Sequence, residues 1–351
     1  MLIIRALNFR GSRLPGNSPH LTGHSMYARL ILISTFLLHA CAATETTMPK
    51  AVFIIVDGIP ADVVEAVKTS ALDDISATGG YTRAFVGGSV GEESESPPTS
   101  AVSYNSLLTG TWANKHNVWD NDITAPNYAY WDVFRLAKAH DASLQTAVFS
   151  TWTDNRTKLL GDGLVAAGGN KLDYYFDGFE LDSERFPHDE RDDYIRQIDE
   201  HVAGEAARYI REVGPDLSWV YLQYTDDIGH RYGDSPEMAA AVRLADRQVS
   251  GIWASIRDRE ARHDEDWLII VTTDHGRDAA TGKEHDEQAE RERTIWIATN
   301  SHSLNGRFHE QPGIVDILPS IAAHLEIDIP PAICAELDGQ SFIAGNGGCT
   351  G

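Results

Sequence analysis

The chain has 351 residues, 42% of them hydrophobic, and 29 glycines, enough to bury the core of one large or two modest domains. Its 52 Asp and Glu against 29 Lys and Arg give a formal net charge of -23, which excludes a broad cationic surface for nucleic acid or anionic lipid. An acidic protein acting on an anionic substrate needs local positive charge, and bound metal ions are one source of it.

Residues 1–42 read as an export address and residues 43–351 as a single domain. Arg29 precedes the apolar run "LILISTFLL" and then "HACAA", a basic segment, a short hydrophobic core and a small-residue cleavage region. The run is too short to span a bilayer as a stable helix. Met26 offers an alternative start with a more ordinary basic segment. Leu38, Ala40 and Cys41 resemble a bacterial lipobox, which implies a lipid anchor at Cys41 and a membrane-anchored or periplasmic protein. The alternative is plain cleavage after Ala42, with Ala40 and Ala42 as the small pair. On either reading Cys334 and Cys349 remain, and an even count in an oxidising compartment leads us to expect a disulfide between them.

Beyond the address, short apolar runs alternate with helical patterns. "AVFIIV" (51–56), "LQTAVFS" (144–150), "LSWVYLQY" (217–224), "WLIIVTT" (267–273) and "TIWIAT" (294–299) lack strict alternation, as expected of strands covered on both faces. Tyr194, Ile198, Val202, Tyr209 and Val213 follow helical spacing, and Ser235-Pro236-Glu237 forms a cap and first turn for a helix running to about Arg259. The fold class is α/β, a mostly parallel central sheet with helices on both faces. The acidic stretch 177–193 carries many charges and little apolar periodicity, and reads as a solvated loop, with a lid over the pocket as the alternative.

In open α/β sheets ligands gather beyond the carboxyl ends of the strands. Three of the apolar runs end in acid: Asp57 with Gly58, Asp226 followed four residues on by His230, and Asp274 with His275. A further histidine, His285, follows ten residues later. An aspartate that caps a helix would explain any one of these. Three together, with histidines beside two, point to a metal site, and mixed Asp and His ligands favour zinc or a similar ion over calcium or magnesium. Six ligands suit two divalent ions, which in such sites sit roughly 3.5–4 Å apart and clamp an in-line displacement.

These residues resemble the alkaline phosphatase superfamily, and within it the nucleotide pyrophosphatase/phosphodiesterase type. The pattern runs strand-Asp-Gly (Asp57-Gly58), a Ser or Thr nucleophile nine residues before Thr-Gly (Ser100 before Thr109-Gly110), Asp-x-x-Gly-His (Asp226 to His230), Asp-His-Gly (Asp274 to Gly276) and a last His (His285). It covers roughly residues 51–343, with "DILPSIAAHLEIDIP" and "LDGQSF" similar to the closing helix and tail. The resemblance implies a single metal-dependent hydrolase domain holding two zinc-like ions on Asp57, Ser100, Asp226, His230, Asp274, His275 and His285. It implies a small-molecule phosphoester as substrate.

Among Thr99, Ser100 and Ser103, the count back from Gly110 selects Ser100 as nucleophile, at the start of a helix whose dipole favours its alkoxide. Thr99 is then expected to cap that helix and Ser103 to bind substrate. The sequence departs from the family pattern in three places. The family usually has Thr where Ser100 stands, Asn where Ser103 stands, and Gly after the last histidine. "SAVSY" lacks the Pro and Arg of the sulfatases, which disfavours sulfate esters. His116 reads as structural, and Trp112, Trp119, Tyr130 and Trp131 read as packing residues or a platform for a nucleobase. The implied activity is that of a phosphodiesterase working through a phosphoserine, with a phosphomonoesterase or a non-catalytic binding protein on the same fold as alternatives.

Overall fold

The structure, a computed structural model, describes residues 47–349. The export segment, the alternative start at Met26 and the lipobox Cys41 lie outside the described residues. Among the described residues no helix is long and apolar enough to cross a membrane.

One seven-stranded sheet organises the domain. Its strands are β1 (Met48–Val56), β2 (Gly80–Phe85), β3 (Thr146–Ser150), β4 (Tyr174–Phe176), β5 (Leu217–Leu222), β6 (Glu265–Thr272) and β7 (Thr294–Thr299). They lie in the order β2-β7-β6-β1-β5-β3-β4. β1 pairs in parallel with β5 and β6, and β3 with β4 and β5. The sheet is mixed, however, because β7 runs antiparallel to both β6 and β2. The run "TIWIAT" gave no warning of this. A strand buried on both faces has the same composition in either direction, and only the chain's return path fixes its sense.

The unbroken apolar runs have a direct cause in the two layers. Along β1, Ala51, Phe53 and Ile55 enter one core while Val52, Ile54 and Val56 enter the other. The first core is closed by helices Ser100–Thr109, Val133–His140 and Ile317–His324, the second by Ser70–Thr78, Asp193–Glu212 and Pro236–Glu260. Burial of each such Phe, Ile or Val is worth about 1.5–3 kcal/mol, so β1 is anchored from both sides.

The helix after Ser235 begins where expected, with the Ser235 hydroxyl accepting from Met238 N and Pro236 in the first turn. In Asp193–Glu212 the buried stripe is Ile195, Ile198, Val202, Ala206 and Ile210, while Val213 lies past the end and is exposed. Cys334 and Cys349 are joined as a disulfide across 15 residues.

The acidic stretch 177–193 is not the free solvated loop its charges indicated. Phe179 packs on Phe176 at 4.6 Å between ring centres, and Phe186 is buried among the second core. Two aromatic anchors thus hold a charged surface segment against the sheet.

Candidate active site

Strand order is what makes the site. β6, β1 and β5 are adjacent and parallel, so their carboxyl ends deliver Asp274, Asp57 and Asp226 to one edge of the sheet. The first triad is Asp57, Asp274 and His275, all essentially without solvent exposure, and the second is Asp226, His230 and His285. Within each triad the ligand atoms lie within 4.8 Å of one another. All six residues selected from the sequence are therefore brought together.

In the buried triad, one Asp57 oxygen accepts from the Tyr104 hydroxyl and from the Tyr221 hydroxyl (2.6 Å). Burial and the Asp57 charge push both phenols well above their ordinary pKa, so they stay protonated donors. Asp274 Oδ1 accepts from Gly58 N at 3.0 Å. That leaves Asp57 Oδ1 and Asp274 Oδ2 buried with no hydrogen-bond partner. Both face His275 Nε2, at 3.4 and 3.3 Å. His275 Nδ1 lies 2.9 Å from Gly276 O and donates to it, which leaves Nε2 with its lone pair. Burial, and next the Asp57 charge, hold the Asp274 carboxyl well above the usual carboxylate range. Two orphaned carboxylate oxygens and an imidazole lone pair converging without a donor are a donor set that fits a divalent cation.

The second triad stands on the helix Tyr224–Tyr232 and on the loop before Glu290. His230 Nε2 is 3.4 Å from Asp226 Oδ2 and 3.2 Å from His285 Nε2. His285 is oriented from behind, with Nδ1 2.7 Å from Asp286 Oδ1 and 3.2 Å from Pro98 O. Its ring stacks on His275 at 3.8 Å, which ties the two triads together. Asp286 occupies the place where the family pattern has Gly, and its φ of 91° is a conformation that favours glycine. Its carboxylate is held down to about 2, first by the His285 hydrogen bond, and it also accepts from the Thr99 hydroxyl at 2.6 Å.

Arg277, immediately after Asp-His-Gly, is the residue that sequence reasoning missed. It is fully buried and donates to Gly58 O (3.0 Å), Lys283 O (2.7 Å) and Asp226 O (2.8 Å), and pairs with the Asp226 carboxylate. Burial alone would raise the Asp226 pKa, but Arg277, His230 and His275 override it and hold the carboxyl below its ordinary value. The guanidinium also explains two motif glycines. A Cβ at Gly229 would lie 2.1 Å from Arg277 Nε, and one at Gly58, whose φ is 64°, would lie 2.7 Å from Arg277 Nη2 and 2.5 Å from Asp226 Oδ1.

Ser100 opens the helix Ser100–Thr109, and its Oγ lies 3.4 Å from His275 Nε2. Thr99 is the N-cap residue by backbone, yet its hydroxyl does not cap, because Asp286 takes it. Asn121 does that work, with Oδ1 accepting from Ala101 N at 2.9 Å. Ser103 is buried at 2% exposure and is not among the walls of the cleft in front of Ser100. That cleft, of about 340 Å³, is walled instead by Asp57, Ser100, Asn121, Trp152, Glu180, His188, Tyr194, Ile195, Tyr221, Gln223 and Asp226. Glu180 and His188 come from the acidic stretch, so the alternative of a lid over the pocket agrees better with the structure than a solvated loop.

The four aromatics considered as a nucleobase platform are not in this cleft. Trp112 packs on Phe85, Trp131 lies over Arg135, and Trp119 bonds Asn117. Trp152 takes the role of an aromatic wall. His116 is structural, as expected, with its ring nitrogens engaged by Ser106 and by Val118 N.

Comparison with known proteins agrees with the geometry. A structure of a phosphonate monoester hydrolase of Agrobacterium radiobacter aligns with a TM-score of 0.58 at 16% identity, over 86% of this chain and 78% of that one. A 2-O GAG sulfatase aligns with a TM-score of 0.57 at 14% identity, over 84% and 73%. Both share the fold. GPI ethanolamine phosphate transferase 3 of Eremothecium gossypii is 32% identical over 119 residues, which is 30% of this chain and 11% of that protein's length. The profile of the family described as type I phosphodiesterase / nucleotide pyrophosphatase matches residues 51–324, a span that contains all six candidate ligands and Ser100. With its motifs at adjacent strand ends and most of its length matched, the chain belongs to the type I phosphodiesterase / nucleotide pyrophosphatase family.

Proposed function

We propose that the chain is an exported phosphodiesterase that hydrolyses small-molecule phosphodiesters through a phosphoserine on Ser100. The observation that carries this reading is the position of Ser100 Oγ, 3.4 Å from His275 Nε2 and at a helix start beside the orphaned oxygens of Asp57 and Asp274. Asp57, Asp274 and His275 would hold one divalent ion and Asp226, His230 and His285 a second, both zinc-like. Such ions would supply positive charge against the phosphoryl oxygens and would favour the ionised form of the Ser100 hydroxyl.

The residues do the rest. The helix start presents Ser100 with its dipole favouring the alkoxide, and the Asn121 carbonyl fixes that turn. Ser100 Oγ attacks phosphorus, the bond from phosphorus to the alcohol oxygen breaks, and that oxygen leaves with a proton. Water then attacks the phosphoserine, the P–Oγ bond breaks, and Ser100 recovers its proton. Tyr104 and Tyr221 hold the Asp57 carboxyl group in place throughout by donating to one of its oxygens.

Diesters are favoured over monoesters by the charge of the cleft. No Lys or Arg is among its walls, so nothing there matches the second negative charge of a monoester, while Trp152 and Tyr194 give a second ester group apolar contact. The bonded Cys334–Cys349 pair supports an oxidising compartment and hence export. Metal-loaded protein assayed on matched aryl phosphate diesters and monoesters tests the reading, with the diester expected to be faster in kcat/KM by at least about tenfold. Faster monoester turnover would move the assignment to a phosphomonoesterase. Inactivity on both, with metals bound, would favour a binding protein.

A further inference from the structure

The wall of the cleft also contains a carboxyl group without a paired cation, Glu180. Glu180 sits in the single turn Phe179–Leu181, which Phe179 anchors on Phe176. Its Oε1 accepts from Thr153 N at 2.6 Å, whereas Oε2 is buried with no partner. Burial first, and then the negative charges of Asp177 and Asp154, raise the Glu180 pKa, a shift that an ammonium occupant would oppose. The nearby guanidinium of Arg156 is already committed to Asp177 through contacts of 2.6 and 3.0 Å. His188 donates from Nε2 to the Glu180 carbonyl (3.1 Å) and stacks on Tyr194, so it orders the wall without neutralising the carboxylate. A buried acceptor left open in a binding cleft is costly unless the occupant brings the donor. A negative wall also repels the extra phosphates of a nucleoside di- or triphosphate.

We propose, resting on the phosphodiesterase reading above, that this cleft selects phosphoesters whose alcohol carries a primary ammonium group. Glu180 accepts the ammonium, and Trp152 and Tyr194 flank it. Aromatic rings beside a cation add attraction of their own, and an amine on a short alcohol matches the size of a 340 Å³ cleft that must also hold the phosphate. Selection then comes from a difference in charge and not from shape.

The test is an isosteric pair, 4-nitrophenyl 2-aminoethyl phosphate and 4-nitrophenyl propyl phosphate, in which NH3+ replaces CH3. The full chain should prefer the amine in kcat/KM by at least about tenfold, the scale of one charge-assisted hydrogen bond. In Glu180→Gln, which keeps an acceptor for Thr153 N, the ratio should fall to near one. Equal rates in the parent protein, an undiminished ratio in Glu180→Gln, or a preference for thymidine 5'-(4-nitrophenyl phosphate) over the aminoethyl ester would each overturn the proposal. Binding of 2-aminoethyl phosphate against propyl phosphate, read by tryptophan fluorescence, decides the matter without turnover. Equal affinities refute the ammonium site, whereas a preference without cleavage of either ester keeps the site and refutes the hydrolase. Glycerophosphoethanolamine in solution against an ethanolamine phospholipid in vesicles then separates a soluble ester from a lipid headgroup as the source.

Discussion

The two ligand triads are made of similar residues but hold them under opposite conditions. Asp57, Asp274 and His275 sit at strand ends under two layers of helix, with two carboxylate oxygens left unbonded. Asp226, His230 and His285 stand on a helix and a loop, with the His285 side chain only 7% exposed. There His230 keeps 41% of its side chain in solvent and Arg277 neutralises the aspartate. The first set is electrostatically unfavourable when empty, the second internally compensated. Cation binding should therefore stabilise the fold chiefly through the buried set.

The sharpest way to break this comparison is at the residue between the sets. Ser100→Ala should lower turnover by about four or more orders of magnitude, as expected for loss of a covalent nucleophile, with metal content and melting temperature nearly unchanged. Retained activity would mean that water attacks phosphorus directly.

Asp274→Asn sharpens the contrast, because its effect should change sign with metal. In chelated protein it relieves the repulsion between Asp57 and Asp274, and we expect a gain of about 1–3 kcal/mol by urea denaturation. In metal-loaded protein the same change should remove the buried ion and lower stability. A loss in both states would show that the carboxylates are not in conflict. His285→Ala should cost one bound ion by elemental analysis and about 1–2 kcal/mol of stability, because its side chain is only 7% exposed and stacks on His275.

His116 gives a pH control away from both triads. Burial depresses its pKa from 6.5 to about 3, so the unfolded chain binds a proton that the folded chain refuses. This contribution to stability is complete above about pH 6.5 and is lost as pH falls from there toward 3. His116→Asn should make acid unfolding less steep across that window, by up to about one proton in slope. The smallest effect is expected for Thr99→Ala, which removes a bond to Asp286 and should cost about 0.5–1.5 kcal/mol while leaving hydrolysis measurable.

Much of the site was legible because strand ends are marked locally. An apolar run followed by Asp-Gly, Asp-x-x-Gly-His or Asp-His-Gly needs no knowledge of the fold to be noticed, and five of the six candidate ligands came from such marks, with His285 added from its place ten residues on. What could not be read is anything set by one segment meeting another. The neighbouring places of β6, β1 and β5, the reversed β7 and the edge strands β2 and β4 follow from chain paths and not from periodicity. β2 is half exposed and β4 has three residues, too little for a pattern to emerge. Asn121, Trp152 and Glu180 reach the cleft from loops with no spacing relation to Ser100. The aromatics chosen for their density in 112–131 went elsewhere, because density does not encode direction.

Arg277 passes through all three strand-end motifs, and this constrains how such a chain can change over evolutionary time. Its guanidinium occupies the space that a side chain at position 229 would need and bonds the backbone at position 58. Any residue larger than glycine at position 229 is therefore blocked while the arginine is present, and becomes admissible only after a shorter side chain has replaced it. Losing the arginine first, however, leaves the Asp226 charge without its partner. The order of substitutions thus matters more than their number, and the motif is kept intact by the absence of a tolerable first step.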